Sequence, residues 1–200
     1  MNTNRYTGRQ SGFTLLEVLV ALTILVFGLL GLIGMQAQSQ IATFESYQRG
    51  QALILVQDMA DRLSTNRKAA ACYAVTTNTT SGSPYLGTSA SAATACAAPG
   101  VGTAAMRTTA AADLLAWNDA LTGAAELAGT DKVGGVLGAR GCITFNATTN
   151  AYRVAVAWQG MAATVAPTAG DSAATCGKDQ YGAEAQRREV SVTIRIASLT

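Results

Sequence analysis

Residues 12–35 read GFTLLEVLVALTILVFGLLGLIGM, and this stretch decides the fold. Within it, residues 18–35 carry one polar side chain, that of Thr23, and no charge occurs between Glu17 and Glu45. At 1.5 Å per residue such a helix is about 27 Å long, close to the thickness of the hydrocarbon core of a bilayer. Apolar side chains cover every face, and a chain of 20.5 kDa can hardly surround them. The pattern predicts a helix that crosses a membrane.

Basic residues flank this helix on one side only. Arg5 and Arg9 precede it, and no basic residue follows until Arg49. The positive-inside rule therefore keeps residues 1–12 in the cytoplasm and sends the rest of the chain across the membrane. A removable secretory signal is the alternative, with residues 37–39 as a weak cleavage site. The apolar run is longer than the roughly 7–15 residues typical of a signal peptide, which favours the retained helix.

Glu17 is an acidic residue at the start of the apolar run. A carboxylate at the centre of a membrane helix costs about 2.5–3.5 kcal/mol, and less near an end. Thr14 and Glu17 fit the capping box, in which a hydroxyl and a carboxylate satisfy free backbone N–H groups of the first turn. The residues alone leave open whether Glu17 only caps the helix or also has a partner in another chain.

The apolar pattern changes after Met35 without a helix breaker. Apolar residues then recur at three- and four-residue steps, which predicts one buried stripe. The members of the stripe are Ile41, Phe44, Ala52, Leu55, Val56, Met59 and Leu63. Glu45 with Arg49 and Asp58 with Arg62 have the spacing of ion pairs on a solvated helix face.

These segments predict one helix from about Thr14 to Asn66, roughly 80 Å long. Gly28, Gly31 and Gly34 interrupt its first half at three-residue spacing. Either they allow close packing against other helices in a membrane, or they mark a soft point at which the helix bends or melts. The sequence does not choose between these two interpretations.

The middle of the chain, residues 69–112, is rich in Ala, Thr, Ser and Gly and nearly uncharged, which predicts a long loop. Asp113 is a candidate N-cap for a short helix after this loop. Leu114, Trp117 and Leu121 share one face of that helix, with Trp117 as an anchor in the core.

Three segments near the C-terminus read as strands. Residues 141–146 are short, and residues 152–159 and 190–196 alternate apolar with polar or small side chains. A period of two indicates one buried face on each strand. Residues 146–150 have the length of a hairpin connection. We expect an α+β domain in which a small antiparallel sheet packs on the stripe of the long helix.

The composition argues against catalysis. The 200 residues include no histidine, only 13% are charged, and the net charge is +2. The absence of histidine removes the Ser-His-Asp and Cys-His systems and histidine-ligated metals. The balanced charge offers no basic footprint for duplex DNA. We therefore expect a protein that is not an enzyme, with no metal and no cofactor.

The sequence GFTLLEVLVAL at residues 12–22, after the short basic leader 1–12, resembles the N-terminal signature of type IV pilins and their pseudopilin relatives. The resemblance implies the pilin fold, an α+β structure with a long N-terminal helix against a small antiparallel sheet. It implies that a prepilin peptidase cuts between Gly12 and Phe13 and that Phe13 is then N-methylated. It also implies that Glu17 sets the register of assembly by meeting the Phe13 amine of a neighbouring subunit.

The same resemblance implies four segments. Residues 1–12 form a cleaved cytoplasmic leader, and residues 13–35 form the transmembrane and filament-core half of the helix. Residues 36–68 form its amphipathic half, and residues 69–200 form a periplasmic globular domain. The protein is then expected in the inner membrane as a single-pass chain, and later in the cell-surface pilus.

Residues 28–37, 57–67 and 152–160 resemble a sub-family of minor pilins, the type IV pilus modification proteins. This implies a structural subunit of an initiation or tip complex that supports pilus assembly, twitching motility and adhesion. Other minor pilins, the major pilin and a tip adhesin would be its partners. A minor pseudopilin of a type II secretion system is the alternative, and a tip adhesin or DNA-uptake subunit is a second one.

Cys72, Cys96, Cys142 and Cys176 occur without a C-x-x-C spacing, so zinc ribbons and redox pairs fit poorly. Export across the membrane favours disulfides, and four cysteines allow three connectivities. We favour the sequential pairing, Cys72 with Cys96 and Cys142 with Cys176. The second pair would resemble the disulfide-bounded C-terminal region of pilins. Each bond would stabilise the domain by about 3–4 kcal/mol in the loop-entropy account.

Arg153, Arg187, Arg188 and Arg195 lie on or beside the predicted strands. We interpret them as charges that guard a solvated strand edge. A patch that binds nucleic acid is the alternative, and its binding would depend strongly on salt. No specific nucleic-acid partner is predicted.

Overall fold

One helix, α1, runs from Leu15 to Thr65 and contains 51 residues. The computed structural model describes residues 12–96, 100–124, 126–132, 134–167 and 174–196. The chain divides into two units, Met1–Thr43 and Phe44–Thr200, and α1 contributes to both. The helix expected over 14–66 is confirmed to within one residue at each end, because no proline or paired glycine breaks it and Thr14 caps its start.

The described residues of the second unit add a short helix, α2, and six strands. α2 spans Ala104–Leu121, and two short 3-10 segments cover Arg67–Tyr73 and Glu184–Gln186. The strands are β1 Leu86–Gly87, β2 Leu127–Ala128, β3 Asp131–Lys132, β4 Arg140–Asn146, β5 Ala151–Gln159 and β6 Arg187–Arg195.

The main sheet is antiparallel with strand order β1-β4-β5-β6, and β2 pairs with β3 in a separate two-stranded ribbon. β4 and β5 form the expected hairpin, in which Gly141 lies opposite Val156 and Asn146 opposite Ala151. β6 pairs along the whole of β5, so that Trp158 lies opposite Arg188. The antiparallel sheet and the long helix confirm the α+β pilin architecture expected from the sequence.

The core of this unit lies between α1, α2 and one face of the sheet. β5 contributes Tyr152, Val154, Val156 and Trp158 to it, as the period-two pattern predicts. On β6 the alternating apolar residues are only partly buried, since this strand ends the sheet.

The predicted stripe of α1 is confirmed in its second half and wrong at Phe44. Ala52, Val56, Met59 and Leu63 are buried, whereas Phe44 is 40% exposed. Gln48, one turn after Phe44, is the residue of α1 that is buried against the rest of the second unit at this level. Its side-chain oxygen accepts a hydrogen bond of 2.9 Å from the backbone N–H of Leu137, which makes a buried polar residue acceptable there.

Trp117 is the anchor that joins α2 to the rest of the core. Its side chain is fully buried, and its indole N–H donates to the backbone oxygen of Leu55 on α1 at 2.9 Å. Gly141 on β4 leaves room for the ring, because a Cβ built there would lie 2.5 Å from the Trp117 ring and 2.6 Å from Leu121. Glycine is therefore required at this position by packing.

The loop predicted over residues 69–112 is wrong at its two ends, which are helical, and right for most of the described residues between them. α2 begins at Ala104, and Thr103 is its N-cap, with a side-chain oxygen that accepts from the backbone N–H of Met106 at 3.3 Å. Alanine has the highest intrinsic helix propensity, so a run of alanines with one buried face forms a helix despite its low complexity. Ala110 is buried on the same face as Leu114, Trp117 and Leu121 and lies one turn before Leu114. This spacing in the sequence could have indicated that the helix begins earlier than Asp113.

Asp113 is not the N-cap that the sequence predicted, because it lies in the middle of α2. Its carboxylate accepts from the Arg62 guanidinium at 3.0 Å and from the Tyr73 hydroxyl. Arg62 also pairs with Asp58, as the helix spacing predicts. Burial and the bond to Asp113 raise the pKa of Tyr73, so this hydroxyl stays protonated as a donor. The group ties α1 to α2.

β5 is buried on both faces, whereas its period-two pattern indicated only one buried face. A smaller apolar cluster covers that face, and its members are Tyr85, Cys142, Ala155, Ala157, Cys176 and Tyr181. The Tyr181 hydroxyl lies 2.9 Å from the backbone oxygen of Gly138 and 2.9 Å from that of Ala157, and it can donate its hydrogen to either. Small alanines on this face allow the covering segments to approach the sheet closely.

The packing around Gly141 generates a stability prediction. We expect Gly141→Ala to lower the free energy of unfolding by about 1–3 kcal/mol, because the added methyl overlaps the Trp117 ring. Gly50→Ala is the matched control: Gly50 lies in α1 with open space around its Cβ position, so alanine should raise the free energy by up to about 1 kcal/mol. Urea unfolding of the full-length protein in detergent, followed by tryptophan fluorescence, measures both. Equal midpoints for the two variants would contradict this account.

Candidate assembly interface

The start of α1 presents a short, exposed N-terminal segment. Gly12, Phe13 and Thr14 precede the helix, and all three are exposed. The backbone N–H of Glu17 donates to the Thr14 hydroxyl at 3.2 Å, which is one half of the predicted capping box. The Glu17 carboxylate makes no hydrogen bond or ion pair with any residue that the structure describes. The described part of the chain therefore supplies no partner for this carboxylate.

The first half of α1 exposes a long apolar surface. The exposed fractions of its large apolar side chains range from 46% at Val20 to 84% at Leu15. No residue in its most apolar 18-residue window is buried, and the helix is long and apolar enough to cross a membrane. An exposed apolar surface of this size marks contact with lipid or with other proteins.

Polar groups within this apolar surface are satisfied locally. The Thr23 hydroxyl donates to the backbone oxygen of Val20 at 2.8 Å, so it places no free donor in an apolar environment. At Gly28, Gly31 and Gly34 a built Cβ would meet nothing within 4 Å. Nothing within the described chain thus requires glycine at these three positions.

The structure joins Cys72 to Cys96 and Cys142 to Cys176, which is the sequential pairing. The first bond closes the segment between α1 and α2. The second attaches β4 to the segment before the 3-10 turn at Glu184–Gln186, and both of its sulfurs lie in the second apolar cluster. Each disulfide therefore fixes a segment whose described residues have little regular secondary structure.

The arginines near the C-terminal strands do not form the solvated edge that the sequence predicted. Arg187 is buried, and its guanidinium contacts Glu184 at 2.7 Å and Glu189 at 2.8 Å. Glu189 also accepts from Arg153 at 2.9 Å, which makes one connected network. Only Arg195 of the four predicted residues is exposed without a contact to a described residue.

Glu45 likewise departs from its predicted partner. Its carboxylate pairs with Arg188 of β6 at 3.2 Å instead of with Arg49. It also accepts from the backbone N–H of Met161 at 2.6 Å. Arg153, Arg187 and Arg188 are thus paired with carboxylates of the same chain, which argues against the alternative interpretation of a nucleic-acid surface here.

Glu189 is the most strongly perturbed carboxyl group of the network. Burial raises its pKa to about 7, against the opposing effect of the Arg153 and Arg187 guanidiniums. Among the described residues, no group of three or more His, Cys, Asp or Glu side chains has the arrangement of a metal site. The described charged groups of the network join β5, β6 and the 3-10 turn before β6.

Two family models match the sequence. The prokaryotic N-terminal methylation motif matches residues 7–33, which cover the predicted leader junction and the apolar half of α1. The type IV pilin Tt1218 model matches residues 34–114, which cover the rest of α1 and most of α2. Together the matches span more than half of the 200 residues. Searches of curated proteins and of solved structures gave no match.

The exposed apolar helix, its capped start and the disulfide-bonded α+β unit define a membrane-anchored structural protein. With the two family matches, the chain belongs to the type IV pilin-like family. It is a pilin subunit of pilus assembly, and pilins are structural subunits that interact with other pilus components, not enzymes. The family expected from residues 12–22 is confirmed.

The buried network predicts a pH dependence of stability. The folded chain holds the Glu189 proton up to about pH 7, whereas an unfolded chain releases it near its ordinary pKa of 4.5. Folding therefore binds a proton in this interval, and the free energy of unfolding should fall as pH rises from 5 to 7, by about 3 kcal/mol at most. Urea unfolding at fixed ionic strength measures the slope.

Glu189→Gln removes the titrating group. The free energy of unfolding of this variant should therefore vary less between pH 5 and pH 7 than that of the unmodified chain. Asp61→Asn is the control, because Asp61 is exposed on α1 and takes no part in the arginine network. The same slope in Glu189→Gln and in the unmodified protein would refute the assignment.

Proposed function

We propose that the chain is a minor pilin, an assembly subunit of an initiation or tip complex in type IV pilus biogenesis. The observation that carries the proposal is the exposed apolar half of α1 together with Glu17, one turn from Phe13, whose carboxylate has no partner among the described residues. A single copy of the chain leaves this surface uncovered, and like helices in a filament core would cover it. Such a complex would support pilus growth, twitching motility and adhesion.

The assignment to minor pilins of the type IV pilus modification kind, PilV, is supported by three sequence blocks. Residues 28–37 belong to the exposed part of α1. Residues 57–67 supply polar groups that bind α2. Arg62 contacts Asp113, and the side-chain amide of Asn66 donates to the Met106 backbone oxygen at 2.8 Å. The third block, residues 152–159 with Gly160, is the central strand β5 and its end. Major pilin, other minor pilins and a tip adhesin are the partners that this role implies.

Maturation would begin with cleavage between Gly12 and Phe13 by a prepilin peptidase, followed by N-methylation of Phe13. Both residues lie outside the helix and are exposed, which supports access by an enzyme. Cleavage at this point would retain the whole apolar helix and create a new ammonium at Phe13. The helix would hold the subunit in the inner membrane, with the disulfide-bonded unit in the oxidising periplasm.

Glu17 would then determine how subunits align. A carboxylate and an ammonium 4 Å apart at an effective dielectric constant of 20 attract by about 4 kcal/mol before desolvation. This is comparable to the cost of burying Glu17 in an apolar core, so a register that pairs it with the Phe13 amine of a neighbour is favoured over one that does not.

The cleavage step predicts the mass of the native protein. Intact mass and N-terminal peptide analysis should find a chain that begins at Phe13 and carries one methyl group on its amine. A chain that begins at Met1, or one that begins beyond Ser39 without the apolar helix, would contradict the proposal.

The alignment step predicts the behaviour of Glu17→Ala. Leader cleavage should remain largely intact, while the fraction of the protein recovered in sheared pili should fall about tenfold or more, which corresponds to about 1.4 kcal/mol. Immunoblots of pilus and membrane fractions measure both quantities. Asp61→Asn, which removes a charge from the exposed second half of the same helix, should leave incorporation unchanged. Normal incorporation of Glu17→Ala would rule out the register role.

A further inference from the structure

The strand β6 forms one edge of the main sheet. β5 lies on its inner side, and no strand among the described residues pairs with its outer side. In an antiparallel sheet, alternate residues of an edge strand direct their N–H and C=O groups away from the neighbouring strand. Outside the pairing with β5, no backbone group of residues 188–195 makes a backbone hydrogen bond within the described part of the chain. The outer side of β6 therefore presents main-chain donors and acceptors that the described residues do not use.

The exposed fraction of Glu189 locates this open surface in the main chain. Its side chain is only 2% exposed, and its carboxylate contacts Arg153 and Arg187. The residue as a whole is half-buried, so most of its exposed surface belongs to the backbone.

The middle of β6 lacks the usual protections of an edge strand. Natural edges are protected by prolines, bulges, lysines or a very short strand. β6 has nine residues, contains no proline or lysine, and pairs with β5 in a continuous register without a bulge. Residues 190–194 carry no charge. An edge of this kind can accept a further strand from another chain.

The side chains of β6 divide between the two faces of the sheet. Val190, Val192 and Ile194 pack against the core and are only partly buried. Ser191 and Thr193 lie on the other face and are exposed. A strand that completes this edge needs apolar side chains on the first face and polar ones on the second, and β6 itself has this pattern.

We propose that β6 pairs antiparallel with β6 of a second copy of this chain, about a two-fold axis at Val192. In this register Val192 lies opposite Val192 of the second copy. Each Val190 lies opposite an Ile194, and each Ser191 lies opposite a Thr193. The axis is perpendicular to the sheet, so both cores lie on the same side of the combined sheet and all the apolar pairs face them. Such cross-strand pairs are the contacts that stabilise a sheet.

Charge favours this register over its neighbour. It places Arg195 opposite Glu189 of the second copy. Glu189 is already held by two arginines of its own chain, so the benefit is that no like charges lie opposite each other. A register centred on Ser191 would place Arg195 opposite Arg187, and two arginines in that arrangement are destabilising.

The pairing goes beyond the proposed function and does not depend on it. Every residue of the contact belongs to the second unit, and neither family match assigns β6 a role. The contact is isologous, because the same strand supplies both sides, and it therefore closes with two copies.

The register is tested with Ser191→Cys and Thr193→Cys in the full-length protein, oxidised mildly in detergent. The two variants carry tags of different length, so the mass of each linked product identifies its members. A disulfide needs Cβ atoms roughly 3.5–4.5 Å apart. The register brings position 191 directly opposite position 193 of the second copy, whereas the two copies of position 191 are diagonal neighbours about 7 Å apart. The mixture should therefore give about tenfold more linked product than either variant alone.

Thr109→Cys is the control, because Thr109 is exposed on α2, which takes no part in the proposed contact. Copies that meet only through the apolar half of α1 would link without any preference for the mixture. Equal midpoints of urea unfolding for the variants and the unmodified protein establish that the variants fold. A mixture that links no better than the single variants, or no better than Thr109→Cys, would overturn the proposal.

The partner is identified in cells that carry a photoreactive phenylalanine analogue at position 193. Irradiation links this position to the chain beside it, and mass spectrometry identifies the linked peptide. A product with the mass of two copies, linked within residues 187–195, supports the proposal. A link to a different pilin subunit alone, or no link, would show that a second copy does not occupy this edge.

These results separate the pairing from the proposed function. If the chain is absent from pili and the mixture still links preferentially, the minor pilin role fails and the pairing of β6 stands. If the chain enters pili normally and the mixture shows no preference, the pairing fails by itself.

Discussion

The structure depends on one constraint: the chain cannot bury the first half of its own long helix. Between Glu17 and Glu45 no charge interrupts the apolar surface, and the unit that contains it has no second element among the described residues to cover it. Water is an unfavourable surrounding for so much apolar area, so lipid or other chains must provide the contact. This surface fits a membrane-anchored pilin that interacts with other pilus components.

The second half of the same helix is packed along one side against the rest of the second unit. Apolar packing supplies part of this attachment, and directed polar contacts fix its geometry. These contacts join α1 to α2, to the segment before β4 and to β6, through Trp117 with Leu55, Asp113 with Arg62, Leu137 with Gln48, and Arg188 with Glu45. Because the partners lie on different elements, the helix cannot rotate or slide without losing several bonds at once.

Local patterns allowed the sequence to predict the helix, the three main strands and the N-terminal signature, since each depends on periodicity or on a short motif. The same patterns misled where alanine was abundant: α2 begins nine residues before Asp113 because helix propensity and the buried Ala110 outweigh low complexity. The pair of Glu45 with Arg188 could not be predicted, since the two residues are 143 positions apart in the chain.

The small cluster on the outer side of the sheet has a consequence for the timing of folding. The segment with Cys176 and Tyr181, which covers this cluster, is joined to β4 by the bond between Cys142 and Cys176. In the cytosol these two cysteines would remain reduced thiols. If the domain is periplasmic, as proposed, this bond would form only after translocation, and the cluster around Ala155 would gain its covalent link to β4 at that step.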